Sequence, residues 1–473
     1  MKRGSTQITR PKAASVGARE RLHRAFAEFL TVPSCIVVGF LLLAVATNQA
    51  DQVETGGIAS AREQLRMRVF SDAQSTADLL GTVASGIITV TSITISLLLL
   101  ALQQSASAMT DNVLDQFLRR RLNQSYFGFF VGLSALSLLT LATVSERFNP
   151  VIGASVVFLL AVAALFLLLV LLYTTINQMR AEEIIEAIHG LTLAARRRSL
   201  PFINDTRREA RLPADSALPV ESERHGYLVA VDLDAIRATA KRTTDEVEVI
   251  LHTTIGAFVA YGDAFADVRA RELATRLAMA ETVRRACRLE LQRDIALDPA
   301  YGLEELELIA WTSISSSKSN PGPGMLTIRS LRDLLARWSE EVRATEAPSR
   351  EPAPVVYTDV TLVRLMDALE SLAVASTESM QHQCFAEVVL SFACMFDRLP
   401  ADQQAMAERS ILRILSGLGD HMLTNRLDRD LMALSDSLRR AGAAGTAHAV
   451  EVATRELGRS VGALNSRSSR VPD

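Results

Sequence analysis

GTVASGIITVTSITISLLLLALQQSASA, from Gly81 to Ala108, contains no charged residue. A membrane helix needs ~20 mostly apolar residues, and this stretch exceeds that. Yet seven hydroxyl side chains fall between Thr82 and Ser96. At 100° per residue, Thr82, Ser85, Thr89, Ser92, Ser96, Gln103 and Ser107 gather within about a quarter of the helical circle. Thr91 and Thr94 fall elsewhere, and the side carrying Ile88, Ile95 and Leu99 suits lipid or an apolar neighbour. Two readings of the stripe stay open. Small and hydroxyl residues let helices approach closely and hydrogen-bond across or back to their own helix. Alternatively, copies of the helix facing each other in an oligomer line a path for water or ions. Gln103 favours the path slightly, because an unpaired amide is costly in a membrane.

Working outward, three more segments qualify as spans: Phe29 to Ala50, Tyr126 to Val144, and Val151 to Gln178, with the second running from Val83 to Gln104. None contains Asp, Glu, Lys, Arg or His, which argues against a proton-coupled transporter or pump. Basic residues set direction, since Lys and Arg stay cytoplasmic. Lys2, Arg3, Arg10, Lys12, Arg19, Arg21 and Arg24 precede the first span. Arg119, Arg120 and Arg121 lie between the second and third, and Arg180 with Arg196, Arg197 and Arg198 follow the fourth. Both termini and everything after residue 180 are therefore expected in the cytoplasm. Ala44-Val45-Ala46 has the look of a signal-peptidase site, but the segment before it is unusually long for a signal peptide, so no cleavage is expected. The second and fourth spans both overshoot a ~30 Å hydrocarbon core and are expected to continue as rigid helical stalks.

The rest of the 473-residue chain explains its composition. It is 49% hydrophobic and 22% charged, with mean hydropathy +0.19, as expected when apolar spans and a charged soluble part are segregated. A net charge of -3 favours no nucleic-acid partner. Cys35, Cys287, Cys384 and Cys394 are scattered and give no disulfide framework.

The soluble sequence predicts a stalk helix and linker over 179–225 and a small β-rich module over 226–270. In that module GYLVAVD, VEVILHTT and the Gly256 to Val268 stretch read as strands. The G-x-x-V-x-x-G-D spacing there resembles hairpins that carry biotin or lipoate, but no Lys lies between Glu246 and Val268, so a swinging-arm carrier is not expected. A helical segment spans 271–346, with Ser315 to Gly324 read as a loop. Lys318 in that loop lacks the G-x-x-x-x-G-K-[ST] frame of a phosphate loop. A Pro-rich linker (347–358), a helical bundle (359–464) and a frayed tail (465–473) complete the chain. The fold class is thus a mainly α membrane protein: a basic N-terminal segment (1–28), a four-helix transmembrane domain (29–178), and a cytoplasmic α+β portion.

SGIITVTSITISLLLLALQQSASAMTDNVLDQFLRRR (Ser85 to Arg121) resembles the signature of a bacterial family of membrane proteins, domain of unknown function 2254. GYLVAVDLDAI, IGAFVAYGDAFADV and DPAYGLEELELIAWTSIS follow in the family's order, so the resemblance covers roughly residues 25 to 340. It implies a multi-pass bacterial membrane protein and supplies no activity. Relatives carry a Ser-Pro-x-x-Asn-Asp-Pro-x-Thr loop. Here Ser319 and Thr327 hold place, while Pro323-Gly324-Met325 replaces the Asn-Asp-Pro core, so no role of that loop carries over.

Catalysis and metal binding find little support. His382, Cys384, Cys394 and His421 could be offered as ligands, but the close donors number only two. No H-E-x-x-H, G-x-S-x-G or dinucleotide fingerprint appears. No enzyme activity, cofactor or metal is expected. The expected partners are the lipid bilayer and further copies of the chain. The functional expectation is a channel-like or conductance-modulating oligomer, or else a non-conducting scaffold or sensor in which the stripe is intramolecular glue.

Overall fold

The computed structural model describes residues 30–460, apart from 54, 56, 69, 71, 109–120, 147, 179, 316–319 and 345–350. The expected basic segment at 1–28 and the tail at 465–473 lie outside the described residues. The chain forms two compact units, Met1–Arg180 and Ala181–Asp473.

The first unit holds α1 (Thr31–Asp51), α2 (Gly57–Arg68), α3 (Ala73–Ala108), α4 (Arg121–Thr143) and α5 (Val151–Gln178). Among the described residues, α1, α3, α4 and α5 are the four helices long and apolar enough to cross a membrane. α5 is the most apolar, at mean hydropathy 3.2. Its exposed residues include Leu159, Leu165, Phe166 and Leu169. Large apolar side chains facing outward from a helical bundle are what a lipid solvent selects. At 36 residues, α3 is about 54 Å long. The expected second stalk is interrupted instead. α5 ends at Gln178, Arg180 lies in a bend, and α6 (Ala181–Asn204) begins afresh, with Met179 outside the described residues. Glu182 and Glu183 stand in the first turn of α6, where negative charge meets the positive end of a helix dipole and favours a new start.

Shape holds α1 against α4. Gly128 and Gly132 stand one turn apart on α4, and the Phe40 ring of α1 lies over Gly132. A Cβ at Gly132 would come within 2.4 Å of Phe40 Cδ2, and one at Gly128 within 2.9 Å of Pro33 Cα. Small-xxx-small spacing of this kind lets membrane helices approach closely. Phe40 also packs edge-on against Phe129, with ring centroids 5.5 Å apart.

The second unit begins with α6, whose Ile184, Ile185 and Ile188 are buried, so it is an integral core helix of that unit. The β-rich part comprises β1 (Ala217–Glu221), β2 (Gly226–Val231), α7 (Leu233–Ala240), β3 (Glu248–Leu251), β4 (Phe258–Val259), β5 (Ala264–Arg269), α8 (Leu273–Ala286) and β6 (Cys287–Glu290). The helical part comprises α9 (Pro299–Ser315), α10 (Pro321–Ala344), α11 (Thr361–Glu378), α12 (His382–Met395), α13 (Ala401–Leu415), α14 (Asn425–Arg440) and α15 (Ala444–Ser460). Between α10 and α11 lies a two-residue strand, β7 (Val355–Val356).

The strands form two sheets, ordered β1-β5-β3-β7 and β4-β2-β6. All pairings are antiparallel except β3 with β7. The region read as a free linker is therefore partly sheet. Ala353 and Val355 are buried, Val249 N donates to Pro354 O at 2.8 Å, and Arg207 N donates to Val355 O at 2.8 Å. Pro-rich composition signalled a connector, but a proline still offers its carbonyl to a neighbouring strand. The Pro-Gly run read as loop also differs. Pro321 to Gly324 form the first turn of α10, where a missing N–H costs nothing. A Cβ at Gly324 would lie 2.8 Å from Ile314 Cγ1, so the glycine permits the close crossing of α9 and α10. Because α10 also packs on α11 and α12, the bundle starts at α9 and not at residue 359.

Candidate functional site

Seen along α3, the buried side is set by Leu80, Ala84 and Ile87, which pack into the unit's core. Thr82, Ser85, Thr89, Ser92 and Ser96 stand on nearly the opposite side, and all five are exposed. The stripe is thus one continuous face turned away from the helices of its own unit. Gln103 and Ser107 continue it along the helix, but their side chains lie outside the described residues. None of these five side chains is buried against the helices of its own unit.

Their hydroxyls are not idle. Thr82 Oγ1 donates to Asp78 O at 2.8 Å, Thr89 Oγ1 to Ser85 O at 2.8 Å, and Ser96 Oγ to Ser92 O at 2.9 Å. Back-bonding to the carbonyl one turn earlier satisfies the proton and leaves acceptor lone pairs facing outward. Thr91 and Thr94 point inward and border a crevice of about 10 Å³ with Tyr126, Phe130 and Leu171.

A residue the span reading missed is Asp51, at the end of α1. Its carboxylate accepts from Ile152 N at 2.8 Å and Gly153 N at 2.9 Å, capping α5 from another helix. The first turn of α5 contains no acid of its own, so Asp51 supplies the negative charge that a helix N-terminus favours. The residue also borders a cleft of about 160 Å³ with Thr47, Asn48, Thr140 and Thr143. An acid immediately after an apolar span is the signal that could have flagged it.

Among the described residues of the second unit, buried charged groups gather around Arg196, Arg293 and Glu387, and around Glu248 with Arg207. Arg196, one of the basic residues used to orient the spans, is buried and pairs with Asp359 at 2.7 Å and Glu341 at 3.2 Å, beside the Trp338 ring. Arg293 lies between the rings of Tyr301 and Tyr227, 4.5 and 5.6 Å from their centroids, and pairs with Asp298 at 2.8 Å and with Glu304. Gly256, at φ +86°, admits Asp298, because a Cβ there would meet Asp298 Oδ2 at 2.2 Å. Glu387 is 1% exposed and receives Arg329 through Nε and Nη2, both at 3.1 Å, together with Arg426. Burial pushes the Glu387 carboxyl up, but hydrogen bonds and charge from Arg329 and Arg426 outweigh it and hold the group below the usual range.

The donors weighed as metal ligands are only partly brought together. His382 Nδ1 and His421 Nδ1 are 3.0 Å apart, and His421 Nε2 meets Thr377 Oγ1 at 3.0 Å. Burial lowers the His382 value, which favours the neutral ring. Cys384 instead faces Pro321 O at 3.8 Å, its thiol pushed up to about 11 chiefly by burial, and Cys394 is exposed. Among the described residues, no group of three or more His, Cys, Asp or Glu converges. At the hairpin between β4 and β5 the exposed tip residues are Tyr261, Gly262 and Asp263. Glu182, Glu183 and Glu186 form a solvated face of α6.

Four apolar helices, a long hydroxyl-faced second span and a following α+β unit define a multi-pass membrane protein. The chain belongs to the family described as predicted membrane protein (DUF2254), whose profile matches residues 27–381. The match runs beyond the resemblance read from the sequence and takes in α11. Neither the curated proteins nor the solved structures contain a significant match.

Proposed function

We propose that the protein is a homo-oligomeric, channel-like or conductance-modulating membrane assembly, in which the hydroxyl face of α3 meets neighbouring copies. The observation that supports this reading is the exposure of Thr82, Ser85, Thr89, Ser92 and Ser96 on the side of α3 away from its own core. In a bilayer that face meets either acyl chains or another protein surface. Against acyl chains the outward lone pairs gain nothing. Against a second α3 the small side chains allow close approach, and any water admitted finds acceptors. The basic flanks support an inner-membrane protein whose termini and soluble unit are cytoplasmic, the soluble unit regulating the assembly. The reading is non-enzymatic.

A second reading, a non-conducting scaffold or sensor, draws on the hydroxyl protons already spent on the helix's own carbonyls. The two part in liposomes loaded with an ion-sensitive dye. Under the first, wild-type protein gives flux above protein-free vesicles, and Ser92→Leu and Ser96→Leu cut it at least tenfold. Equal background leakage from all three removes conduction. A Ser92→Cys thiol inert to aqueous reagents then supports the scaffold.

A further inference from the structure

The Glu387 hub carries more positive charge than its carboxylates balance. α10, α12 and α14 meet there. Glu387 sits on α12 and is engaged by Arg329 and Arg332 from α10 and by Arg426 from α14. Arg426 and Arg429 also flank buried Asp430, at 3.5 and 3.7 Å. Four guanidinium groups thus face two carboxylates.

The bonding is uneven in the same sense. Arg329 forms a bidentate fork on both Glu387 oxygens, and Arg426 donates to Oε2, which it shares with Arg329. Arg332 only approaches, with Nη1 3.6 Å from Glu387 Oε1, outside hydrogen-bond range. No other ion pair joins Arg332 among the described residues. All four guanidiniums reach the surface to some degree, so a ligand can approach from water while Glu387 forms the floor. A bridge built for stability alone needs one arginine. The surplus of two positive charges, on two guanidiniums fixed by Glu387 and two that only approach a carboxylate, matches a dianion with several acceptor oxygens.

We propose that Arg329, Arg332, Arg426 and Arg429 form a binding site for a phosphate monoester dianion, with Arg332 as the principal free donor. Arg329 and Arg426 are held in place by Glu387, and Arg332 contributes donors that Glu387 leaves unused. The same chemistry is offered by a soluble phosphate ester and by the headgroup of a phosphatidic acid.

The test uses the full chain in an uncharged detergent, with ionic strength held constant by sodium chloride. Both tryptophans, Trp311 and Trp338, lie in the soluble unit, so the thermal midpoint of their emission reads that unit. Inorganic phosphate at ten times its dissociation constant is expected to raise the wild-type midpoint by about 3 °C. Short-chain phosphatidic acid forms the second arm. A rise with both probes assigns the site to phosphate as such, and a rise with phosphatidic acid alone assigns it to the headgroup. Arg332→Gln is expected to lose at least tenfold in apparent affinity. Without phosphate its midpoint equals or exceeds the wild-type value, because a surplus charge has gone. Three results overturn the proposal: a wild-type midpoint unmoved by either probe, an Arg332→Gln response equal to wild type, or an Arg332→Gln midpoint below wild type without ligand. The last would make Arg332 a structural pin.

Discussion

The two units hold their helices together by different means. Where α1 meets α4, contact is made by shape: Gly128 and Gly132 clear space and Phe40 fills it. Where α10, α12 and α14 meet, contact is made by charge: a buried carboxylate gathers arginines from two neighbouring helices. The solvent of each unit explains the choice. In lipid an unpaired charge has nowhere to go, so close backbone approach and self-satisfied hydroxyls serve. Outside lipid, a partly exposed guanidinium keeps its charge and has it screened, so a buried glutamate can be a meeting point. Asp51 is the exception in the first unit, and its carboxylate is spent on two backbone N–H groups at the end of a span.

Removing charge from the Glu387 hub should have the largest effect. Glu387→Gln strands the arginines around it and is expected to cost about 3 kcal/mol, read by tryptophan emission during denaturation. An unchanged midpoint would mean that the arginines re-solvate freely and that charge does not organise this junction. The same residue sets an acid limit. Its value in the folded chain is lowered, so its contribution is complete above the ordinary carboxylate value and is lost as pH falls through the lowered one. Wild-type protein should therefore lose tryptophan-monitored stability on acidification more steeply than Glu387→Gln does.

Shape should matter next. Gly132→Leu places side-chain atoms where Phe40 stands and is expected to cost about 2 kcal/mol, measured as a lower midpoint of helix loss in detergent with the tryptophan midpoint unchanged. Pairing it with Phe40→Ala should return part of the loss, and a double variant no better than the single one would deny the contact its importance. The smallest effect is expected at the acid that ends α1. Asp51→Asn weakens the cap on α5 by about 1 kcal/mol, visible as faster amide exchange at Ile152 and Gly153. Unaltered exchange there would show that the backbone amides find water instead.

The spans were legible because long uncharged runs leave few alternatives, and the family signature sits in one of them. The side of α3 that carries the hydroxyls was legible too, since helical geometry fixes it. Which way that side faces was not, because periodicity does not say which face packs inward. The strands GYLVAV, EVIL and ADVR announced themselves by β-branched residues, whereas β1, β6 and β7 are short and depend on pairing with distant residues. Arg196 was read as a topological signal and is a core residue, because charge alone does not distinguish a membrane flank from a buried ion pair. Glu387 had a signal that went unused: one acid inside the apolar run Cys384 to Phe396. Gly128 and Gly132 had one as well, in their four-residue spacing.

The short strand at Val355 and Val356 sets an order of events during synthesis. Residues of β3 leave the ribosome long before the segment that will lie beside them, with α8, α9 and α10 made in between. For that interval the sheet presents an open edge, exposed to wrong partners. A nascent chain halted after α10 should therefore bind chaperones more readily than one allowed to run past Tyr357.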